Sequence, residues 1–250
     1  GENLDAIEIE LKKLLVETPE FKSPLVYLNL HDIYKAQNKP AAALRILETG
    51  VKEYPDIYQF RYRLASFLFR LKKYDEAFAH CRLILKDNPL YAQVYAMLGN
   101  IYLRRGNFAE AERNFQEGLR LEPGYVLLKR EYAELLMMLK KYKEAVEIYN
   151  TLLAAEETSG DQDFLFNVAL LNARYGDMTT AGKILQRLVK LKPCGKYHFY
   201  YAVMLAKNRE LRAAIENMAI ALERYAGELT TAQQQQAAAA LAAWKKGLKP

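Results

Sequence analysis

The chain has 250 residues, 51% of them hydrophobic, with 12 Gly and 8 Pro and no Ser/Gly-rich linker. It therefore buries a large apolar surface and leaves little room for disorder. The formal net charge of +6, from 36 basic and 30 acidic residues, is a mild excess that solvated helix faces account for, with a mild preference for acidic partners as the sharper reading.

Ala, Leu, Glu, Lys and Arg dominate, and the β-branched runs that strands need are missing, which predicts an all-α chain. Cys81 and Cys194 form no CxxC, so neither a disulfide framework nor a zinc site is expected. Cys81 falls at a core helix position, and Cys194 follows a helix-ending proline, where exposure is expected. No apolar run reaches about 18 residues, so this segment inserts no membrane helix. No leader is visible after Gly1, although a trimmed one would leave no trace. A cytoplasmic setting fits that reading. A periplasmic or membrane-tethered one fits if a signal or anchor preceded it.

In chain order, Asn3–Val16 reads as one helix with Leu4, Ile7, Leu11, Leu14 and Leu15 on one face. Glu8, Glu10, Lys12 and Lys13 lie largely opposite, and Thr18-Pro19 ends the helix. From there the sequence repeats every 34 residues. Six repeats fit: 24–57, 58–91, 92–125, 126–159, 162–195 and 195–228. The twentieth position is Ala43, Ala77, Ala111, Ala145, Ala181 and Ala214. The eighth is His31, Ala65, Gly99, Ala133, Ala169 and Ala202. Pro55, Pro89, Pro123 and Pro193 close four repeats.

These columns have physical reasons. Two antiparallel helices cross closely only where both present small side chains, and proline cannot continue a helix. Tyr74, Phe108 and Tyr142 open second helices and are expected to fill the gap to the next repeat. His31 interrupts a small-residue column, so looser packing is expected there, with the imidazole a tolerated edge residue. Ala155–Ser159 lacks the closing proline, which predicts a longer loop before a helix capped by Asp161. Thr231 with Gln234 reads as a capping box. The helix from there to about Lys246 places Ala237, Ala240, Leu241, Trp244 and Leu248 on one side. The chain is thus read as one continuous domain: a capping helix in 1–23, repeats in 24–228 and a second capping helix in 229–250, the polar-backed ends that such arrays need.

The repeat resembles the tetratricopeptide repeat family, on the eighth and twentieth positions, the closing prolines and the 34-residue period. The resemblance covers 24–228 and implies an α-solenoid, a right-handed superhelix whose first helices line a concave groove. It also implies which residues face that groove. They include Tyr62, Arg63, Phe69 and Arg70 from repeat two, and Met97, Asn100 and Arg104 from repeat three. Repeat four gives Arg130 and Met137, repeat five Phe166, Asn167 and Arg174, and repeat six Phe199. Position thirteen reads Ala36, Arg70, Arg104, Met138, Arg174 and Lys207, four of six basic. Arg and aromatic residues dominate binding energy at interfaces, and Met adapts to varied apolar shapes.

No catalytic constellation is present. His31, His80 and His198 lie in separate repeats, without HExxH, a phosphate loop or GxSxG, so no catalytic residue, metal or cofactor is expected. One subfamily of these repeats binds acidic chaperone tails through a five-residue carboxylate clamp. Its best match here, Arg130, Glu134, Asn167, Lys196 and Tyr200, sets Glu134 against a carboxylate, so that activity is not expected. The leading expectation is a non-catalytic scaffold or adaptor that binds a protein or peptide partner with apolar anchors and acidic residues. The alternative is a structural assembly subunit of a bacterial envelope, pilus or secretion complex, self-associating as a homo-oligomer or docking through its outer faces. Nucleic acid is not expected in a groove that also carries Asp32, Glu131 and Glu134.

Overall fold

The computed structural model describes residues 2–17, 23–153 and 160–247. Among these residues the chain is helical and without strands. Helix α1 spans Glu2–Glu17. Six helix pairs follow: α2 (Pro24–Ala36) with α3 (Pro40–Glu53), α4 (Tyr58–Arg70) with α5 (Tyr74–Asp87), and α6 (Ala92–Arg104) with α7 (Phe108–Leu121). Then come α8 (Val126–Met138) with α9 (Tyr142–Leu153), α10 (Gln162–Tyr175) with α11 (Met178–Leu191), and α12 (Gly195–Lys207) with α13 (Leu211–Arg224). A 3-10 turn at Ala226–Glu228 leads into α14 (Thr231–Gly247). The chain forms two compact units, 1–128 and 129–250.

The turn inside each pair is set by backbone hydrogen bonding. After α2, Asn38 N–H donates to Lys35 O at 3.1 Å and Lys39 N–H to Tyr34 O at 2.8 Å. This paired arrangement satisfies the last carbonyls of the helix and needs one left-handed residue. Asn38, Lys72, Gly106, Lys140 and Arg209 take that role in five pairs, with φ between 55° and 73°. Repeat five departs: Gly176 has φ −122°, and its N–H simply donates to Asn172 O. The prolines act one residue early. Tyr54, Asn88, Glu122 and Lys192, each preceding one, leave the helix with φ from −130° to −149°.

In the first unit, the small-residue columns sit where the helices of a pair touch. Ala43, Ala77 and Ala111 are fully buried, as is Ala65. A Cβ at Gly99 would stand 2.3 Å from the Phe115 ring, so no side chain fits there. Between repeats the same device recurs: Gly50 meets the Phe60 ring, and Gly118 meets Leu128, each within 2.6 Å of where a Cβ would stand. The expectation of looser packing at His31 is overturned. His31 is buried, its Nδ1–H donates to Ala43 O at 3.1 Å, and its ring meets Phe67 edge-on at 5.6 Å. The carbonyl supplies what the missing small residue would have left to van der Waals contact. Tyr74 packs on Phe69 of its own repeat at 5.3 Å and against the first-unit core cluster, and Phe108 is 38% exposed.

Helix α1 covers α2, rotated from the expected face. Glu8 is buried while Ile7 and Leu14 are exposed. The inward stripe is Leu4, Glu8, Leu11 and Leu15, at spacings of four, three and four. Lys12 of the same helix pairs with Glu8, and Lys39 Nζ reaches Glu8 Oε2 at 3.2 Å. Hydrogen bonding to Lys12 holds the Glu8 carboxyl down at about 2, against the desolvation that opposes it. The Thr18-Pro19 stop lies outside the described residues.

In the second unit, Ala133, Ala145, Ala169, Ala181, Ala202 and Ala214 are fully buried. Asn172, 1% exposed, exchanges hydrogen bonds with Asn150 at 2.8 and 3.1 Å and also donates to Val168 O. This pair satisfies the buried Asn172 amide. Tyr142 does reach the next repeat, stacked on Tyr175 at 4.3 Å. Asp161 caps α10, accepting from Phe164 N–H at 3.0 Å. The loop expected at 155–159 lies outside the described residues. The capping box falls one residue earlier than expected. Thr230 N–H donates to Gln233 Oε1 while Gln233 N–H donates to Thr230 Oγ1, and Gln234 instead donates to Ala226 and Leu229 carbonyls. Ala237, Ala240, Leu241 and Trp244 of α14 pack on Phe199, Met218 and Leu229. Leu248 lies outside the described residues.

Candidate functional site

In the first unit, α2 and α4 present stripes at helical spacing, Asp32 and Lys35 on one, Tyr62, Arg63, Ser66 and Arg70 on the other. They line a cavity of about 220 Å³ with His31 and Phe67 at its base. Arg63 Nη1 donates to both Asp32 oxygens at 2.9 Å, so this pair is internally neutralised. Burial pushes His31 below the ordinary imidazole range, which keeps it neutral. Lys35 and Arg70, without ion pairs among the described residues, give the cavity its positive sign. Both also line an adjoining cavity of about 150 Å³ with Phe67 and Leu71.

The other expected groove residues of this unit differ in availability. Tyr62 is half-buried against Tyr91 at 5.6 Å, and burial pushes its hydroxyl well above the ordinary phenol range. Phe69 and Met97 are half-buried against the core cluster. Asn100 is half-buried on α6, and Arg104 is exposed in its last turn.

In the second unit, α8, α9 and α10 enclose a cavity of about 320 Å³ lined by Arg130, Glu134, Tyr149, Asp161, Asp163, Phe164 and Asn167. The Arg130 guanidinium lies over the Phe164 ring at 5.0 Å. Met137 is half-buried; Arg174 is exposed, 5.1 Å over Tyr175. Two expected groove residues are corrected. Phe166, 4% exposed, is enclosed by Tyr197, Tyr200 and the Lys196 ammonium, which sits 3.9 Å over its ring. Phe199, 6% exposed, packs into the core against Tyr200 and the α14 cluster. Aromatics from the next helix and the C-terminal cap cover both. Tyr149 of the second helix α9 also lines this cavity, a position that the first-helix pattern does not predict.

Among the described residues no cluster of three His, Cys, Asp or Glu is placed to hold a metal ion. No helix there is long and apolar enough to cross a membrane.

Comparison with known proteins follows the same repeats. Two tetratricopeptide repeat family models match, one over residues 28–92 and one over 102–163, together just over half of the chain. The chain belongs to the tetratricopeptide repeat family. Two rice (Oryza sativa subsp. japonica) relatives, DnaJ protein P58IPK homologs A and B, are each 26% identical over 140 residues. That stretch is 56% of this chain and 28% of theirs, so the chain spans under a third of these relatives. Among solved structures, Pseudomonas aeruginosa pilF is similar with TM-score 0.62 at 22% identity, covering 82% of this chain and 90% of that one. YrrB, described as a tetratricopeptide repeat protein with an unusual peptide-binding site, gives 0.56 at 19%, covering 80% and 97%. A Parabacteroides merdae repeat protein gives 0.55 at 20%, covering 98% and 93%. At these identities the likeness shows the fold. As a tetratricopeptide repeat fold, the chain is a protein-interaction scaffold in general terms.

Proposed function

We propose that this chain is a non-catalytic adaptor whose first-helix groove holds a polypeptide partner, engaging acidic side chains of that partner in the first unit. The observation that carries this reading is the cavity between α2 and α4. Two cations there, Lys35 and Arg70, have no ion pair among the described residues and stand beside the half-buried Tyr62 and the Phe67 ring. A cation beside an apolar wall suits a carboxylate that follows an apolar anchor, and Arg and Tyr are the residues around which interface energy concentrates. Arg104 extends the positive column. The test is binding of a fluorescent peptide library that pairs Leu or Phe with Asp or Glu. Arg70→Glu with Arg104→Glu is expected to abolish binding and leave the thermal transition nearly unchanged. Retained affinity in that double variant sinks the reading.

A second reading, a structural subunit that self-associates or docks in a larger envelope, pilus or secretion assembly, has one observation in its favour. Ile9 and Val16, seven residues apart on one flank of α1, are 55% and 79% exposed, and Ile7 and Leu14 are exposed on its other flank. Light scattering after size-exclusion chromatography separates the two: a strict monomer at high concentration disfavours self-association.

A further inference from the structure

We propose that the cavity between α8, α9 and α10 is a socket for a basic side chain, lysine or arginine, of a polypeptide partner. The inference rests on the groove binding a polypeptide, but it inverts the charge expected of the bound residue in the second unit. Glu134, Asp161 and Asp163 line this cavity against Arg130 alone, a net charge of −2. In the first-unit cavity Lys35, Arg63 and Arg70 stand against Asp32, a net charge of +2.

Part of the acidity has a local cause. Asp161 caps α10 and Asp163 lies in its first turn, where negative charge favours the helix dipole. That account does not reach Glu134, which stands mid-helix on α8. Nor does it reach Tyr149, the second observation. Tyr149 is 8% exposed, lines the cavity, and its hydroxyl has no hydrogen-bond partner among the described residues. Burial, with the charge of Glu134 adding to it, pushes that hydroxyl up to about 12, so it is a neutral phenol held near a carboxylate. The side chain is nine-tenths buried, but its hydroxyl opens onto the cavity, where it can accept a hydrogen bond from an entering donor. A guanidinium or ammonium entering the cavity donates to the phenol oxygen and to the Glu134 and Asp163 carboxylates together.

The aromatic wall holds Arg130 apart from these carboxylates. Phe164 meets Tyr149 edge-on at 5.7 Å and already holds the Arg130 guanidinium over its face. Arg130 rests on the ring and makes no ion pair with Glu134, Asp161 or Asp163 among the described residues. The carboxylates therefore remain available to an incoming cation. Asn167, exposed at the rim, offers its amide oxygen.

The test is a ¹⁵N-correlation NMR titration of the full chain with two probes, acetyl-Leu-Arg-Leu-amide and acetyl-Leu-Glu-Leu-amide, at low salt. The arginine probe is expected to shift the Phe164 and Asn167 amides saturably. Glu134→Gln with Asp163→Asn should weaken it about 10-fold, as loss of charge partners does. Tyr149→Phe, which keeps the ring, should weaken it also, and circular dichroism verifies that each variant is folded. The glutamate probe is expected to titrate amides around Lys35 and Arg70 instead. The inference is overturned if the arginine probe leaves Phe164 and Asn167 unmoved. It is equally overturned if the double variant binds the probe unchanged, or if the glutamate probe occupies this cavity in preference, which would mean that Arg130 sets its sign. A failure here with glutamate binding intact at Arg70 leaves the groove reading standing, and loss of both probes removes both.

Discussion

At the scale of single residues, burial decides chemistry. Cys81 is fully enclosed in the first-unit core, and burial alone pushes its thiol up to about 12, whereas Cys194 is partly exposed at the start of α12. A thiolate-seeking reagent such as Ellman's is therefore expected to titrate one thiol quickly in the native chain and two in denaturant. Gly99 has a steric role. Its missing Cβ leaves room for the Phe115 ring, so Gly99→Ala forces the ring aside and costs about 1–3 kcal/mol, read as a lower urea midpoint. Phe115→Leu added to it should recover part of the loss, since the ring edge is what the new methyl meets. A neutral effect of Gly99→Ala would mean that the crossing is looser than its geometry. Asn172 and His31 show the polar counterpart, side chains tolerated inside because each finds a partner within reach.

At the scale of elements, the turns and the first helix carry the testable physics. Gly106 has φ 73° and nothing within 4 Å of where its Cβ would be. Gly106→Ala therefore isolates the backbone cost of a left-handed residue, about 1 kcal/mol of stability, and the urea midpoint should fall with no change in near-ultraviolet spectra. Lys72, at the equivalent position with φ 62°, bears that strain already, so Lys72→Gly should be neutral or slightly stabilising. Helix α1 depends on Glu8. Its carboxyl is held at about 2 in the folded chain against an ordinary 4.5, so the charged form is favoured by folding. That contribution is fully present above about pH 4.5 and disappears as pH falls toward 2. Comparing Glu8→Gln with the parent chain, the gap in urea midpoints should be constant above pH 5 and close as the solution is acidified. A gap that persists unchanged at pH 2 would assign the effect to shape instead of charge.

How legible these elements were depends on what each position answers to. The buried alanines at position twenty and the prolines answer to constraints within one repeat, and the sequence alone carries them. The rotation of α1 did not, because Leu4, Ile7, Leu11, Leu14 and Leu15 are consistent with more than one inward face. The choice is made by Lys39, which immediately precedes α3 and reaches back to Glu8. Thr230 and Thr231 are adjacent and chemically alike, so only the hydrogen bonds distinguish the cap. Phe166 and Phe199 sit at groove positions by periodicity, yet Tyr197, Tyr200 and the last helix cover them. Contacts between repeats depend on the neighbour's sequence, which a single repeat's pattern does not contain.

At the scale of the whole molecule, each unit carries its own charged cavity, and the two are opposite in sign. Binding of acidic peptide to the first is expected to weaken about 10-fold between 50 mM and 500 mM NaCl, since partly exposed charges are screened over this range. Anisotropy titrations at several salt concentrations measure it, and an affinity independent of salt would leave only apolar anchoring. A modest overall charge of +6 conceals this division, which only the folded arrangement separates.

The glycines that meet bulky neighbours across repeats have a consequence for how such a chain can change. Gly50 is matched to Phe60 and Gly118 to Leu128, while the same column carries Ile84 where the next repeat supplies the smaller Val94. Each junction is thus a lock cut for one key. Excising residues 58–91 would bring Gly50 to Val94 and open a void. Excising 92–125 would press Ile84 toward Leu128. The repeats look like interchangeable beads in sequence, but their order is written into the seams.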